Sequence, residues 1–441
     1  MPVVRVILRP HRQALLRGVE QPQKIFVMLK FLLRKEMTHE RPEIAFALVV
    51  DTSTSMKEGG KLDQAIQAIE QLLDYPELVP TDQVSVVKFD DTGQTLVPLT
   101  PIGEKGMVLQ GVHRLKEFEG GTEIAKGLQL ALDQLSALPP TVVRKVFLLT
   151  DGYTYEEEEA LKLAEVYFSQ KIPIVALGLG TEYHEEFLIR LTDITRGRVY
   201  HLEDMFLLPA IFYQEVGMIA REVVTDLVMQ CETGEGVRLI SLSRVYPNLL
   251  PIPPTPPYHM GNLVNKDYTV YVAEFGVSPP FEGETRKIGT FRWSYYIPTR
   301  DQREELSSRE VSLPLTDDVE LSREIDDEVM AYVEQRNIEN LIREAVTRAQ
   351  VDPDGAANTL KLVQALTQKL GNEHLTQVLN RAMQELQTHR RITESTAKTL
   401  RIDTRTKTQR AATRVLDPEI LEELQEEGTA PSNEPEHDAP A

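Results

Sequence analysis

Between residues 43 and 214, short apolar runs alternate with segments whose apolar positions recur every three or four residues. The runs fall at 44–50, 84–89, 143–149, 172–177 and 198–202, and the helical periodicity at 61–73, 122–135, 155–169 and 184–192. Runs 44–50 and 143–149 are apolar at nearly every position, as central strands covered on both faces require. Segment 94–99 follows 84–89 after the turn residues Asp90, Asp91, Thr92 and Gly93, a spacing that predicts a hairpin and an antiparallel edge strand. The alternation predicts an α/β unit with a mostly parallel sheet of six strands.

Strand-like patterns of another kind flank this block. Residues 3–9 and 26–33 precede it, with Val27, Leu29, Phe31 and Leu33 on one face. After it come 237–245, 268–277 and 288–297, where Phe291, Trp293, Tyr295 and Ile297 share a face. The proline-rich stretch 251–262 reads as a loop, because proline cannot donate to a sheet ladder. Together these segments predict one β-sandwich built from residues 1–40 and 220–314, with the α/β unit at 43–214 inserted into it. From Asp318 onward the pattern is helical, at 321–347, 355–370 and 373–387, with Asp352 and Pro353 as cap and first-turn residues and Gly371 as a break. This predicts an α-helical domain over 318–415.

The chain has 441 residues, 41% hydrophobic and 26% charged, and no run approaches the ~20 apolar residues that cross a bilayer. No membrane span is expected. The first residues lack an apolar stretch ahead of a small-residue cleavage site, so the expected location is the cytoplasm. The one cysteine, Cys231, forms no internal disulfide and reads as a small buried hydrophobe.

A formal net charge of -20 argues against a nucleic-acid partner, since phosphate contacts need clustered Lys and Arg. The charge is uneven. Residues 416–441 hold nine acids and no Lys or Arg, and predict a disordered acidic tail. Segment 390–414, from Arg390 to Arg414, holds eight Lys or Arg against Glu394 and Asp403, and reads as a solvated stretch attracted to that tail. An RNA-binding scaffold using this segment is an alternative. The nine histidines show no H-E-x-x-H spacing and no G-x-x-x-x-G-K-[ST] loop occurs, which excludes the common zinc protease and P-loop signatures.

The candidate chemistry lies at predicted strand ends. Run 44–50 leads into Asp51-Thr52-Ser53-Thr54-Ser55, Gly120-Gly121-Thr122 precedes a helix, and run 143–149 leads into Thr150-Asp151-Gly152. In an open parallel sheet, loops beyond the carboxyl ends of the strands meet and bind ligands. Asp51, Ser53, Ser55, Thr122 and Asp151 offer hard oxygen donors with only two carboxylates, a set that suits magnesium and also manganese. The serines and Thr122 could instead cap helices. Asp90 and Asp91 read as turn residues, Lys57, Tyr153 and Tyr155 as rim residues, and Glu156, Glu157, Glu158 and Glu159 as acids favoured at a helix start.

The strand-DxSxS, GGT and strand-TDG motifs, in this order, resemble the von Willebrand factor type A domain with its metal-ion-dependent adhesion site. The resemblance covers about 170 residues; the inserted arrangement and helical C-terminal part look more loosely like cytoplasmic multidomain bacterial proteins of this superfamily. It implies a doubly wound, Rossmann-like sheet with one antiparallel edge strand. It further implies direct ligation by Asp51, Ser53, Ser55 and Thr122, with Asp151 acting directly or through water. Thr54 stands where many members have glycine. The implied function is non-enzymatic binding of a protein partner that presents an Asp or Glu carboxylate. A metal-dependent phosphoester hydrolase with Asp51 as nucleophile is the alternative from another class, weakened because Ser53, not an acid or base, stands two residues later.

Overall fold

A computed structural model describes residues 2–34, 37 and 40–411. Its strands, in chain order, begin with β1 (Val4–Pro10), β2 (Leu15–Leu16) and β3 (Gln23–Leu33). An α/β unit follows, with β4 (Glu43–Asp51), α1 (Thr54–Lys57), α2 (Lys61–Leu72), β5 (Gln83–Phe89), β6 (Gly93–Pro101), α3 (Lys105–His113) and α4 (Ile124–Leu135). It continues through β7 (Val142–Thr150), α5 (Glu157–Ser169), β8 (Ile174–Leu179), α6 (Glu185–Thr195), β9 (Arg198–Leu202) and α7 (Leu208–Ile219). The chain then forms β10 (Glu222–Thr233), β11 (Val237–Tyr246), β12 (Leu250–Ile252), β13 (Tyr258–Val264), β14 (Tyr268–Val277), β15 (Thr285–Ile297) and β16 (Gln302–Thr316). Helices α8 (Val319–Arg323), α9 (Asp327–Arg348), α10 (Pro353–Lys369), α11 (Glu373–His389) and α12 (Glu394–Thr406) close the described chain. No helix among the described residues is long and apolar enough to cross a membrane.

The six-stranded sheet has the order β6-β5-β4-β7-β8-β9, parallel except for the β5–β6 hairpin. Its central strands β4 and β7 are buried along nearly their whole length, because helices cover both faces. On one face Phe46 meets Phe147 edge-on with ring centres 5.8 Å apart, and Phe147 meets Phe212 at 5.5 Å. On the other, Val49, Phe89 and Leu128 pack together. Gly127 on α4 lets that helix lie against the sheet: a Cβ there would come within 2.8 Å of the Val49 side chain.

Two further sheets, ordered β1-β3-β14-β11-β12 and β13-β10-β15-β16-β2, enclose an apolar core around Phe31, Tyr271, Phe291 and Trp293. Strands from both sides of the α/β unit thus pair directly, β3 with β14 over ten residues, so the α/β unit is an insertion in a sandwich. The outer face of β3 and β14 is covered by the start of α9, where Tyr332 and Val333 pack on Met28 and Val270. Under this helix Lys30 and Glu328 form a buried ion pair at 3.0 Å.

The structure departs from the sequence expectations at several elements. The proline-rich stretch is not one loop: Pro251 sits in β12, an edge strand where a missing N–H costs no ladder bond, and 258–262 lie within β13. Strand β10 was illegible because register shifts interrupt its alternation, and β16 because one side of it faces solvent and is polar. Residues 321–347 split into α8 and α9, with Asp326 capping the second through the Val329 N–H. Cys231 is half-buried against the sandwich core, and burial pushes its thiol up to about 12.

The largest correction concerns the basic segment. Residues 394–406 form α12, which packs on the α/β unit through Ile402. Lys398 is fully buried and donates to the Thr181 carbonyl and, at 2.6 Å, to the Tyr183 carbonyl. Arg401 pairs with Glu185 at 2.5 Å, and Arg405 with Asp193 and Glu339. These three cations face acids of α6 and α9 and are not solvated, whereas Arg390, Arg391, Lys407 and Arg410 of the same segment keep exposed side chains. Residues 412–414 and the acidic tail 416–441 lie outside the described residues.

His11, at the sandwich edge, supplies a pH test. Its Nδ1 accepts the Phe26 N–H at 3.1 Å, and burial, helped by the Arg12 charge, lowers its pKa to about 4. The folded chain therefore favours neutral His11; its stability is complete above pH 6.5 and falls by up to about 3 kcal/mol as pH drops through 6.5 towards 4. His11→Asn keeps an acceptor near Nδ1 without the titration, and acid unfolding curves should show less loss over that window. An identical pH dependence would assign the acid sensitivity elsewhere.

Candidate functional site

Asp51 ends β4 and Asp151 follows β7, neighbouring parallel strands that pair up to Val50 and Leu149. Register alone therefore brings two carboxylates together at the carboxyl edge of the sheet, and both are 0% exposed. The Asp51 carboxylate accepts the Ser53 N–H at 2.8 Å on Oδ1 and the Thr150 hydroxyl at 2.7 Å on Oδ2. Burial, with the Asp151 charge adding to it against these hydrogen bonds, pushes the Asp51 carboxyl up to about 6.

The serines continue the cluster. Ser53 and Ser55 bring their Oγ atoms to 3.1 Å, and Ser55 donates to Asp151 Oδ1 at 2.7 Å. Ser53 is buried, whereas Ser55 and Thr122 are half-buried, so the cluster opens outward on their side. Thr122 lies beside Gly152, the residue after Asp151: a Cβ added there would stand 3.1 Å from its Oγ1. Thr122 precedes α4, whose cap position is Glu123 and carries no side-chain cap bond, so the capping alternative is not what is observed. Ser53 likewise occupies the cap position of α1 without a side-chain cap bond.

Backbone contacts hold the three loops in place. Thr54 N–H donates to the Gly120 carbonyl at 3.1 Å, Thr52 N–H to the Phe89 carbonyl at 2.8 Å, and Glu123 N–H to the Asp90 carbonyl at 2.9 Å. Gly120 and Gly121 are needed because the Asp91 carboxylate lies against both; a Cβ on Gly120 would approach it to 2.7 Å. Asp90 is engaged within its own turn by Lys88 at 2.7 Å and Thr92 N–H at 2.8 Å, which is the turn role expected of it. At the rim, Lys57 pairs with Glu119 at 2.7 Å, Tyr153 is 52% exposed and stacks on His184, and Tyr155 is 98% exposed. Glu157 opens α5 and meets His184 at 2.5 Å.

Two participants escaped the sequence reading. Thr150 stood in the Thr150-Asp151-Gly152 motif without a role of its own, yet its hydroxyl donates to Asp51. Lys61 places its ammonium 2.5 Å from Asp151 Oδ2. A signal for Lys61 existed: it is the first residue of α2, where the helix dipole disfavours a cation unless an acid faces it. Gly59 and Gly60, with φ of 64° and 71°, make the turn that sets it there.

The donor set tests favourably against a divalent metal ion. It consists of oxygens only, the two carboxylates repel, and an ammonium already occupies a cationic position on one of them. Among the described residues no group of three or more His, Cys, Asp or Glu is arranged to hold a metal, so the set depends on its hydroxyls.

The chain contains a von Willebrand factor type A domain, whose family model matches residues 46–214. Residues 327–410 match a second model, the Sll0103-like C-terminal alpha-helical domain. The uncharacterized protein sll0103 of Synechocystis is 28% identical over 166 residues, a match that covers 37% of this chain and 39% of that relative's length. Among solved structures, a von Willebrand factor type A protein from Catenulispora acidiphila has a TM-score of 0.77 at 17% identity, covering 92% of this chain and 97% of that one. The ArnB paralog VWA2 from Sulfolobus acidocaldarius has a TM-score of 0.57 at 17% identity over 92% of this chain and 99% of its own. These likenesses establish the fold, including sandwich and helices. Type A domains are protein-interaction modules, often metal-dependent, and generally non-enzymatic.

Removing one of the two facing charges should relieve the metal-free protein. Asp51→Asn, melted in chelator at pH 7.5, is expected to unfold at the wild-type temperature or a few degrees higher, because a charged carboxylate is no longer held in a buried site. A large drop in melting temperature would show that the site is held by hydrogen bonds to the carboxylate alone.

Proposed function

We propose that the type A domain binds a divalent ion of the magnesium class, manganese serving as well, and uses it to capture an Asp or Glu carboxylate of a protein partner. The observation that carries this reading is the cluster itself: the Ser53 N–H on Asp51, the Ser53 hydroxyl on that of Ser55 and the Ser55 hydroxyl on Asp151 link four residues at the sheet edge, with Lys61 as the only cation bonded to them among the described residues. A bound divalent ion supplies an electrophilic position for one outside carboxylate. Asp51 and Asp151 would provide the charge, while Ser53, Ser55 and Thr122 add oxygens without adding charge. Because only two carboxylates are present, the site keeps an attraction for an outside anion, and the half-buried side of Ser55 and Thr122 is where that anion would enter. Lys61 would then serve Asp151 as a supporting partner that fixes its orientation.

The hydrolase reading finds less support. Both Asp51 oxygens are buried and hydrogen-bonded, by the Ser53 N–H and the Thr150 hydroxyl, and among the described residues no His, Lys or second acid bonds to Asp51 as a proton donor for a leaving group. A reducing compartment, and with it a cytoplasmic location, fits a chain with one half-buried thiol.

Magnesium titration by calorimetry should lose more than about 100-fold in affinity with Asp51→Ala, beyond the usual effect of changing a residue that merely supports a ligand. Peptides selected by display on the magnesium-loaded protein should carry Asp or Glu. Their binding should vanish in chelator, with Asp51→Ala, and when the acid is exchanged for its amide. Selected peptides without acids, or binding that survives chelation, would overturn the proposal.

A further inference from the structure

The opposite edge of the type A sheet, at the amino ends of β7, β8 and β9, meets the sandwich around a cavity of about 60 Å³. Its lining is unusually cationic for a buried joint. Three of its five cations are matched: Arg198 pairs with Glu215 at 2.8 Å, Lys145 with Glu222 at 3.0 Å, and Lys171 with Asp226 at 3.0 Å. Arg244 and Arg196 remain. Arg244, on β11, is 6% exposed, and its Nε has no hydrogen-bond partner. The charges acting on it are the guanidiniums of Arg198 and Arg196, with the Tyr271 phenol as its polar neighbour, and no described carboxylate pairs with it. Arg196, half-buried, donates to two backbone carbonyls, of His259 at 3.2 Å and Asp193 at 2.5 Å, stacks over Phe168, and feels the Asp193 and Glu165 carboxylates without an ion pair to either.

A buried guanidinium without a counter-charge is costly, and folded chains remove that cost by pairing it. Here Arg244 is such a guanidinium, Arg196 beside it has no ion pair among the described residues, and the three carboxylates of the lining, Glu215, Glu222 and Asp226, are already paired. We propose that the cavity is a binding site for a small tetrahedral dianion, inorganic phosphate or sulfate, held by Arg244 with Arg196 at the joint between the type A domain and the sandwich. The size agrees: at roughly 10–15 Å³ per water-sized atom the space holds about five, the number of heavy atoms in such an ion. The excess of two cations matches its charge, and the planar guanidinium fork suits its oxygens. Burial, then the Lys171 charge, lowers the pKa of the neighbouring His259 against the pull of Asp226. A dianion here would bridge β11 of the sandwich to the α6–β9 turn and so fix the angle at which the metal-site edge is presented.

The full chain, dialysed into a chloride buffer, is melted with low-millimolar phosphate or sulfate against sodium chloride of equal ionic strength, a range in which general salting effects are small. The wild type should show a saturable rise of about 3 °C with either dianion. Arg244→Met, which keeps the length of the side chain and removes its charge, should show none. No dianion-specific rise in the wild type, or an equal rise in Arg244→Met, would overturn the proposal. Should that variant not fold, calorimetry on the wild type decides: one site per chain, with phosphate and sulfate competing, is expected, and absence of a binding heat contradicts it.

Discussion

Two buried carboxylates that cannot both be comfortable set the terms for the carboxyl edge of the type A sheet. Asp51 and Asp151 are brought together by the parallel pairing of β4 and β7, and neither is exposed. Around them the chain gathers a Ser53 N–H, the hydroxyls of Thr150 and Ser55, and the Lys61 ammonium. Folding alone gains nothing from placing like charges side by side away from water. That cost is what the proposed bound cation would offset, and Lys61 already offsets part of it.

The two edges of that sheet are used differently. At the amino edge, Lys145 pairs with Glu222 across the joint with the sandwich, Arg198 pairs with Glu215 within the α/β unit beside it, and α12 pins α6 through Lys398, Arg401 and Arg405. Such buried pairs contribute orientation more dependably than net stability. Inserting the type A unit between β3 and β10 holds it at both chain crossings, while helices derived from the C-terminal region brace its flank. The carboxyl edge keeps its rim, with Tyr153 and Tyr155 exposed. A rigid frame at one edge and an open rim at the other is a reasonable construction for a binding protein.

Much of this was legible in the sequence. Uniformly apolar runs announced β4 and β7, and three short motifs announced the residues that the fold brings to one edge, since strand ends in a parallel sheet must converge. What escaped followed from context. The alternation of β10 is interrupted by register shifts, β16 is polar where it meets solvent, and α7, at 208–219, fell beyond where the alternating pattern was followed. The cations of α12 looked like surface charge because their acids lie about 200 residues away, at Glu185 and Asp193. Lys61 was readable only as an oddly placed cation at a helix start, and Thr150 only as the first residue of its motif, with nothing to mark it as a partner of Asp51.

The most direct test is crystallographic. Crystals grown with manganese should show one anomalous peak among Asp51, Ser53, Ser55, Thr122 and Asp151, within oxygen-ligand distance of the Ser53 and Ser55 hydroxyls. Absence of a peak there under saturating manganese, with the Lys61 ammonium still seated on Asp151 as the sole cation, would contradict the account.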